Sequence, residues 1–147
     1  WVLFYSITLL FYFVVLPDEL QRKHAALAVV DATYIACTRP NTRLGDVLAG
    51  AQESYRMGGF EDEWRLHHQG GPAGYEAREY LAAPGSADEV REGQVYAWNP
   101  SITGIKMEDS VLVGAEENVV LTAIDGWPTL PVQIGGRVYE RPAILEM

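Results

Sequence analysis

A chain of 147 residues, 48% hydrophobic and 21% charged, holds enough apolar material for one domain with a buried core. Twenty acidic residues against 11 Lys and Arg leave a net charge of −9, which argues against a nucleic-acid backbone or an anionic membrane surface as partner. Cys37 is the only cysteine, so no disulfide framework or paired-cysteine metal knuckle is expected, and a reducing, cytoplasmic setting fits.

The chain starts at Trp1 rather than Met and reads as part of a longer protein, a single partial domain over residues 1–147. Its opening, WVLFYSITLLFYFVVL, has no basic n-region and no small-residue cleavage site, and it is shorter than the ~20 residues of a membrane span. Aromatic and β-branched residues dominate it, which predicts a buried strand covered on both faces.

Pro17, Asp18 and Glu19 mark a helix start, and Leu20, Leu27, Val30 and Tyr34 keep helical spacing on one face. Cys37 falls near the end of that helix as a small packing residue, and Arg39-Pro40-Asn41 breaks it. A second helix is predicted with Thr42 as N-cap, Asp46 in its early turns, and Leu44, Val47, Leu48 and Tyr55 as its apolar stripe. Gly58-Gly59 closes it. Two such helices need an apolar surface to pack on, and the opening strand is the expected one.

Beyond Phe60 the pattern changes to short apolar runs between Gly, Pro and Asn: GQVYAWNPSITG, IKMEDSVLVG, NVVLTAI and GRVYERPAIL. These predict antiparallel strands and hairpins, with AAPGSADEVREG as a polar connection. The fold class expected is α+β, two helices against a curved, mainly antiparallel sheet.

Chemistry concentrates in RLHHQGGPAGYEARE, residues 65–79. On an extended strand His67 and His68 point to opposite faces, so one ion does not easily take both. Only His24 adds a third imidazole, too few for zinc. Two readings stand: one histidine packs while the other bonds a carbonyl or acid, or one titrates near neutrality and moves a proton. GGPAG lacks the Gly-Lys-Ser/Thr ending of a phosphate loop, and its glycines suggest a close backbone approach or a left-handed turn. In MEDSVLV, Glu108 and Asp109 face opposite ways, so one acid points inward and needs a partner such as Arg78 or a histidine. Asn99, before Pro100, offers a donor and an acceptor without charge.

In the order of these pieces, residues 5–113 resemble the C-terminal half of the pita-bread catalytic domain of methionine aminopeptidase, aminopeptidase P, prolidase and creatinase. That family's central motif is a histidine, a metal-binding histidine four residues on, a glycine three later, and a substrate-contacting histidine four later, before an acid. From His67 the same steps fall on Gly71, Gly74 and Arg78, followed by Glu79. A strand ending in Glu-Pro-Gly comes next in the family; here it reads Asn99-Pro100-Ser101. The last motif, Glu-Asp before a valine-rich run, is matched by GIKMEDSVLV with Glu108 as the metal glutamate. Upstream, a Ser-Asp-x-Thr-Arg stretch is answered by Thr8 alone, with Ser6 at the aspartate and Leu9 at the arginine.

The resemblance implies hydrolase chemistry on a small amide or peptide. Of the ligand positions within the chain only Glu108 keeps a ligand. Two divalent ions need several carboxylates, so no dinuclear metal site is expected. Three functions follow. In metal-free hydrolysis, as in the creatinase branch, His67 or His68 moves protons and Glu108 orients the substrate. Arg78 clamps a carboxylate, and Glu79 and Asn99 line the site. In a non-catalytic module the cavity only binds a peptide or protein. In a rearranged metallopeptidase, His68, Glu79, Glu108 and Asp109 hold Mn, Co or Zn. A homodimer is left open by the resemblance.

Overall fold

The computed structural model describes residues 16–145. The predicted opening strand, with Ser6, Thr8 and Leu9, lies outside the described residues.

Helix α1, Asp18–Cys37, begins after Pro17 with Asp18 and Glu19 in its first turn, where carboxylates complement the free amides. Leu27, Val30 and Tyr34 are fully buried along it, and Leu20 is half-buried. At its end Thr38 Oγ1 donates to the Tyr34 carbonyl at 2.6 Å and accepts the Trp98 indole N–H at 3.0 Å. Half-buried Cys37 packs between the helices, its sulfur 3.3 Å from where a side chain on Gly50 would begin.

Helix α2, Leu44–Met57, buries the expected stripe of Leu44, Val47, Leu48 and Tyr55 and ends at Gly58, with Gly59 at φ 79°. The predicted cap is corrected. Thr42 lies one residue too early; Arg43 is the N-cap and makes no side-chain bond. The free amides of Leu44 and Gly45 instead donate to the carbonyls of Asp88 and Ser86, at 2.7 and 3.0 Å. A Cβ on Gly45 would lie 2.8 Å from the Ser86 nitrogen, so glycine lets this segment dock. The polar connection is therefore held against α2, with Val90 in the core.

The strands are β1 (Gly70–Ala73), β2 (Val95–Trp98), β3 (Ser101–Ile102), β4 (Ile105–Lys106), β5 (Asp109–Leu112), β6 (Val119–Val120), β7 (Thr129–Ile134) and β8 (Arg137–Pro142). An antiparallel sheet runs in the order β1-β2-β5-β6, and β3-β4 and β7-β8 form separate hairpins. The expected α+β architecture is present. Strands β1 and β7 are additions to the sequence reading.

Alternation along β2 turns Tyr96 and Trp98 toward the helices. Trp98 stacks on Tyr34 of α1 with ring centroids 4.4 Å apart, and Tyr96 follows at 5.7 Å from Trp98. Register pairs Trp98 with Asp109 and Tyr96 with Val111, which puts Asp109 on this same covered face. Among the described residues α1 thus packs on the β7-β8 hairpin and, through Tyr34 against Trp98, on β2.

Asp109 does not pair with Arg78 or a histidine, as the sequence suggested. Arg141, from β8, donates through Nη2 to Asp109 Oδ2 and through Nε to Asp31 Oδ2 of α1 at 2.6 Å. Thr122 Oγ1 donates to Asp109 Oδ1. All three charged groups are buried, so one guanidinium faces two carboxylates. Burial pushes the Asp31 carboxyl up to about 6; Arg141 opposes the rise and Asp109 adds to it. His24 also serves the fold: its Nε2 lies 3.0 Å from the Pro142 carbonyl, joining α1 to β8.

Candidate functional site

The opposite face of the sheet carries the candidate residues. Its approach is set by Gln69, which is 3% exposed and uses its whole amide. Tyr34 and Tyr55 hydroxyls donate to Oε1 at 3.3 and 3.0 Å, and Nε2 donates to the carbonyls of Trp64 and His67 at 3.0 and 2.9 Å. Both helices therefore grip the segment that bears the histidines.

That segment is not a strand. His67 and His68 lie in a bend after a 3-10 turn, Glu63–Arg65, and their rings neighbour each other with centroids 4.4 Å apart. The expectation of opposite faces is corrected for this reason. His67 Nδ1 donates to the His68 carbonyl at 2.6 Å. Asn99 Nδ2 donates toward His68 Nδ1 at 3.5 Å. Burial, then the charges of His67, Arg78 and Lys106, lowers the His68 pKa below its usual value, with Glu108 opposing.

Arg78 reaches the same place from the loop after β1. Its Nη2 lies 3.4 Å from Glu108 Oε1, while Lys106 Nζ lies 3.0 Å from Glu108 Oε2. Asn99 is 2% exposed. Two buried atoms here have no hydrogen-bond partner, Arg78 Nε and Asn99 Oδ1. The structure brings His67, His68, Arg78, Asn99 and Glu108 to one face and adds Lys106. Spacing could have found Lys106, two residues from Glu108 on extended chain. Gln69 and Arg141 carried no such local signal.

Glu79 sits apart, exposed, with Oε1 accepting the Tyr75 and Glu76 amides of its own turn at 2.8 and 3.4 Å. Clefts of about 220 and 280 Å³ lie elsewhere, one beside Asn118 and Arg137, the other beside Phe60 and Leu66.

No family model matches the sequence, and no curated protein does. Solved structures do. A prolidase from Thermococcus sibiricus superposes with a TM-score of 0.64 at 19% identity, over 74% of this chain and 31% of that one. An X-Pro aminopeptidase from Thermotoga maritima gives 0.64 at 17%, over 74% and 32%. The N-terminal domain of the FACT complex subunit SPT16 from chickpea, Cicer arietinum, gives 0.63 at 16%, over 75% and 30%. This is the pita-bread fold. The chain spans about a third of the length of these structures.

The paired metals expected of pita-bread peptidases do not fit the residues present. Among the described residues no group of three or more His, Cys, Asp and Glu converges. The rearranged set of His68, Glu79, Glu108 and Asp109 is corrected: Asp109 points to the helices and is bound by Arg141, and Glu79 folds onto its own turn. At Gly71, the place of the metal histidine, a Cβ would overlap the Tyr80 carbonyl oxygen. Main chain fills the room a ligand would need. Gly71→Ala is expected to destabilise the protein by about 1–3 kcal/mol. Urea unfolding checks this, and an unchanged midpoint would show that the segment yields freely.

Proposed function

We propose that this chain recognises a small amide or peptide without metal, as a binding domain. The observation that carries this reading is the pair of buried, unpartnered atoms, Arg78 Nε and Asn99 Oδ1, on the face that bears His67 and His68. A buried donor or acceptor left unmade costs about 1–3 kcal/mol, and a bound ligand offering both complements removes that cost. Arg78 meets the ligand's acidic end, as the resemblance suggested. Glu108 has a cation at each oxygen, which suits a counter-ion better than a proton acceptor. The FACT subunit of this fold is a component of a complex, a precedent for a role in assembly.

Metal-free hydrolysis is the second reading, favoured by His68. With its pKa lowered, the ring is a neutral base at pH 7 beside the cluster. A cytoplasmic location belongs to the same proposal, supported by a single cysteine in 147 residues, which forms no disulfide within the chain; no helix among the described residues is long and apolar enough to cross a membrane.

The test incubates the chain with a dipeptide panel, Xaa-Pro peptides included, with and without chelator. A binding domain gains thermal stability with a peptide and leaves it intact by mass spectrometry. Cleavage in chelator, falling off as the pH drops below the usual histidine range and lost in His68→Gln, selects hydrolysis. Cleavage abolished by chelator removes both readings.

A further inference from the structure

The turn that leads into the β7-β8 hairpin carries a reactive pair. Of the aspartates and asparagines in the chain, only Asp125 is followed by glycine. Asp125 and Gly126 are both exposed, next to an Ile124 that is 61% exposed. They are the central pair of a tight turn closed by the Trp127 amide, which donates to the Ile124 carbonyl at 3.2 Å. The Gly126 amide has no acceptor among the described residues, and a Cβ at this position would meet nothing within 4 Å. Its nitrogen is therefore neither hydrogen-bonded nor shielded, and the Asp125 carboxyl lies one residue back. Asp109, followed by Ser110, is the contrast. It is 7% exposed, Arg141 and Thr122 hold its carboxylate, and its backbone is paired with Trp98 in β2.

We propose that Asp125–Gly126 is a site of spontaneous modification, where aspartyl isomerisation lengthens the turn and loosens the hairpin that carries Arg141. The Gly126 nitrogen attacks Cγ of the protonated Asp125 carboxyl. A C–N bond forms, and the carboxyl hydroxyl leaves with the amide proton as water, closing a cyclic imide. Water then opens the ring at either carbonyl. Opening at Cγ returns the original chain; opening at the main-chain carbonyl leaves Gly126 joined through Cγ. No atom is gained or lost overall, and nothing is oxidised. The β-aspartyl chain has one more carbon in its backbone at this turn. Trp127 follows directly and ties the hairpin shut. Its indole N–H donates to the Ala143 carbonyl at 2.9 Å, while the Ala143 amide donates to the Pro128 carbonyl at 2.8 Å. A longer turn re-aims Trp127 and strains both bonds, next to the stretch of β8 that bears Arg141.

The test holds the full chain folded near neutral pH for several weeks and then digests it with trypsin. Cleavage after Lys106 and Arg137 releases one peptide that contains both Asp109 and Asp125. Electron-transfer fragmentation locates β-aspartyl linkages within it, and a carboxyl methyltransferase specific for them, with labelled S-adenosylmethionine, counts them. Linkages at Asp125 should exceed those at Asp109 by at least about tenfold, because a buried, paired strand rarely opens. The aged chain should exchange its Trp127 indole and Ala143 amide protons at least about tenfold faster by NMR. Asp125→Glu, whose longer side chain closes the ring poorly, keeps the charge; it should form no linkage and leave both exchange rates unchanged with age. Comparable linkages at the two aspartates overturn the assignment. Their absence at Asp125 in the folded chain overturns it too, and linkages in a urea-unfolded control would then show that the turn protects the pair. Accumulation at Asp125 with unchanged exchange overturns the effect on the hairpin.

Discussion

Arg141→Met is expected to destabilise the protein by about 3–5 kcal/mol near neutral pH, read from urea or thermal unfolding. The substitution keeps side-chain volume but leaves Asp31 and Asp109 buried and facing each other without their cation. It also removes the charged tie of β8 to α1 and β5, leaving the His24 bond to the Pro142 carbonyl to hold β8 on α1. Three buried charges are not themselves a source of great stability, because desolvation offsets most of their attraction. The loss comes from breaking the set. Replacing all three by apolar residues should therefore recover much of what Arg141→Met loses, and a triple variant as unstable as the single one would refute the electrostatic account.

The same cluster sets a pH dependence. The Asp31 carboxyl is raised to about 6 in the folded state from a usual value of 3.8, so the folded chain holds this proton more tightly than the unfolded one. Its contribution is fully present below about pH 4 and is lost as pH rises through 6. Asp31→Asn should flatten that decline when the two proteins are compared from pH 4 to 7. The cost of Arg141→Met should likewise be greatest above pH 6, where Asp31 is ionised, and shrink below it.

Gln69→Leu is expected to cost about 3 kcal/mol and to abolish ligand binding as well. Leucine is similar in size, and its extra apolar burial does not replace four hydrogen bonds. The change strands the carbonyls of Trp64 and His67 and removes the acceptor for Tyr34 and Tyr55. Tyr55, whose one hydroxyl proton is shared between Gln69 Oε1 and the Ser101 carbonyl at 3.0 Å each, then donates to Ser101 alone and still accepts its amide at 2.9 Å. Tyr55→Phe, which loses both attachments but leaves the Gln69 amide largely satisfied, is the informative comparison. It should lower stability while leaving the His67–His68 bend in place, so the histidine ring signals should move in Gln69→Leu and not in Tyr55→Phe.

What could be read in the sequence was whatever is written locally. Leu27, Val30 and Tyr34 repeat at helical spacing, and α1 and α2 follow from such stripes. The cap of α2 was misread because its amides are satisfied by carbonyls more than 40 residues away, and no residue type at position 42 or 43 records that. Strand β1 was hidden by its composition. Gly-Gly-Pro-Ala has little strand propensity and is held by backbone pairing to β2, with Gly70 at φ 108° where a Cβ would overlap the Ala97 carbonyl. At the site, the opposite orientations of Glu108 and Asp109 follow from alternation, yet which arginine serves which acid does not. Arg141 lies 32 residues from Asp109 and 110 from Asp31, joined to them only by the packing of β8 on α1. The side-by-side histidine rings follow from a bend at His67 that no residue type in the run marks.

The closeness of Tyr80 to Gly71 fixes what this position can carry. The segment around Tyr80 is anchored on either side, by the Glu79 amide to the Pro72 carbonyl at 2.9 Å and by the Ala82 amide to the Gly70 carbonyl at 2.8 Å. A histidine introduced at Gly71 would have to displace a stretch of chain that is itself bonded to the strand beneath it. Any side chain larger than hydrogen at position 71 thus meets main chain first, and room for one there requires a rebuilt loop.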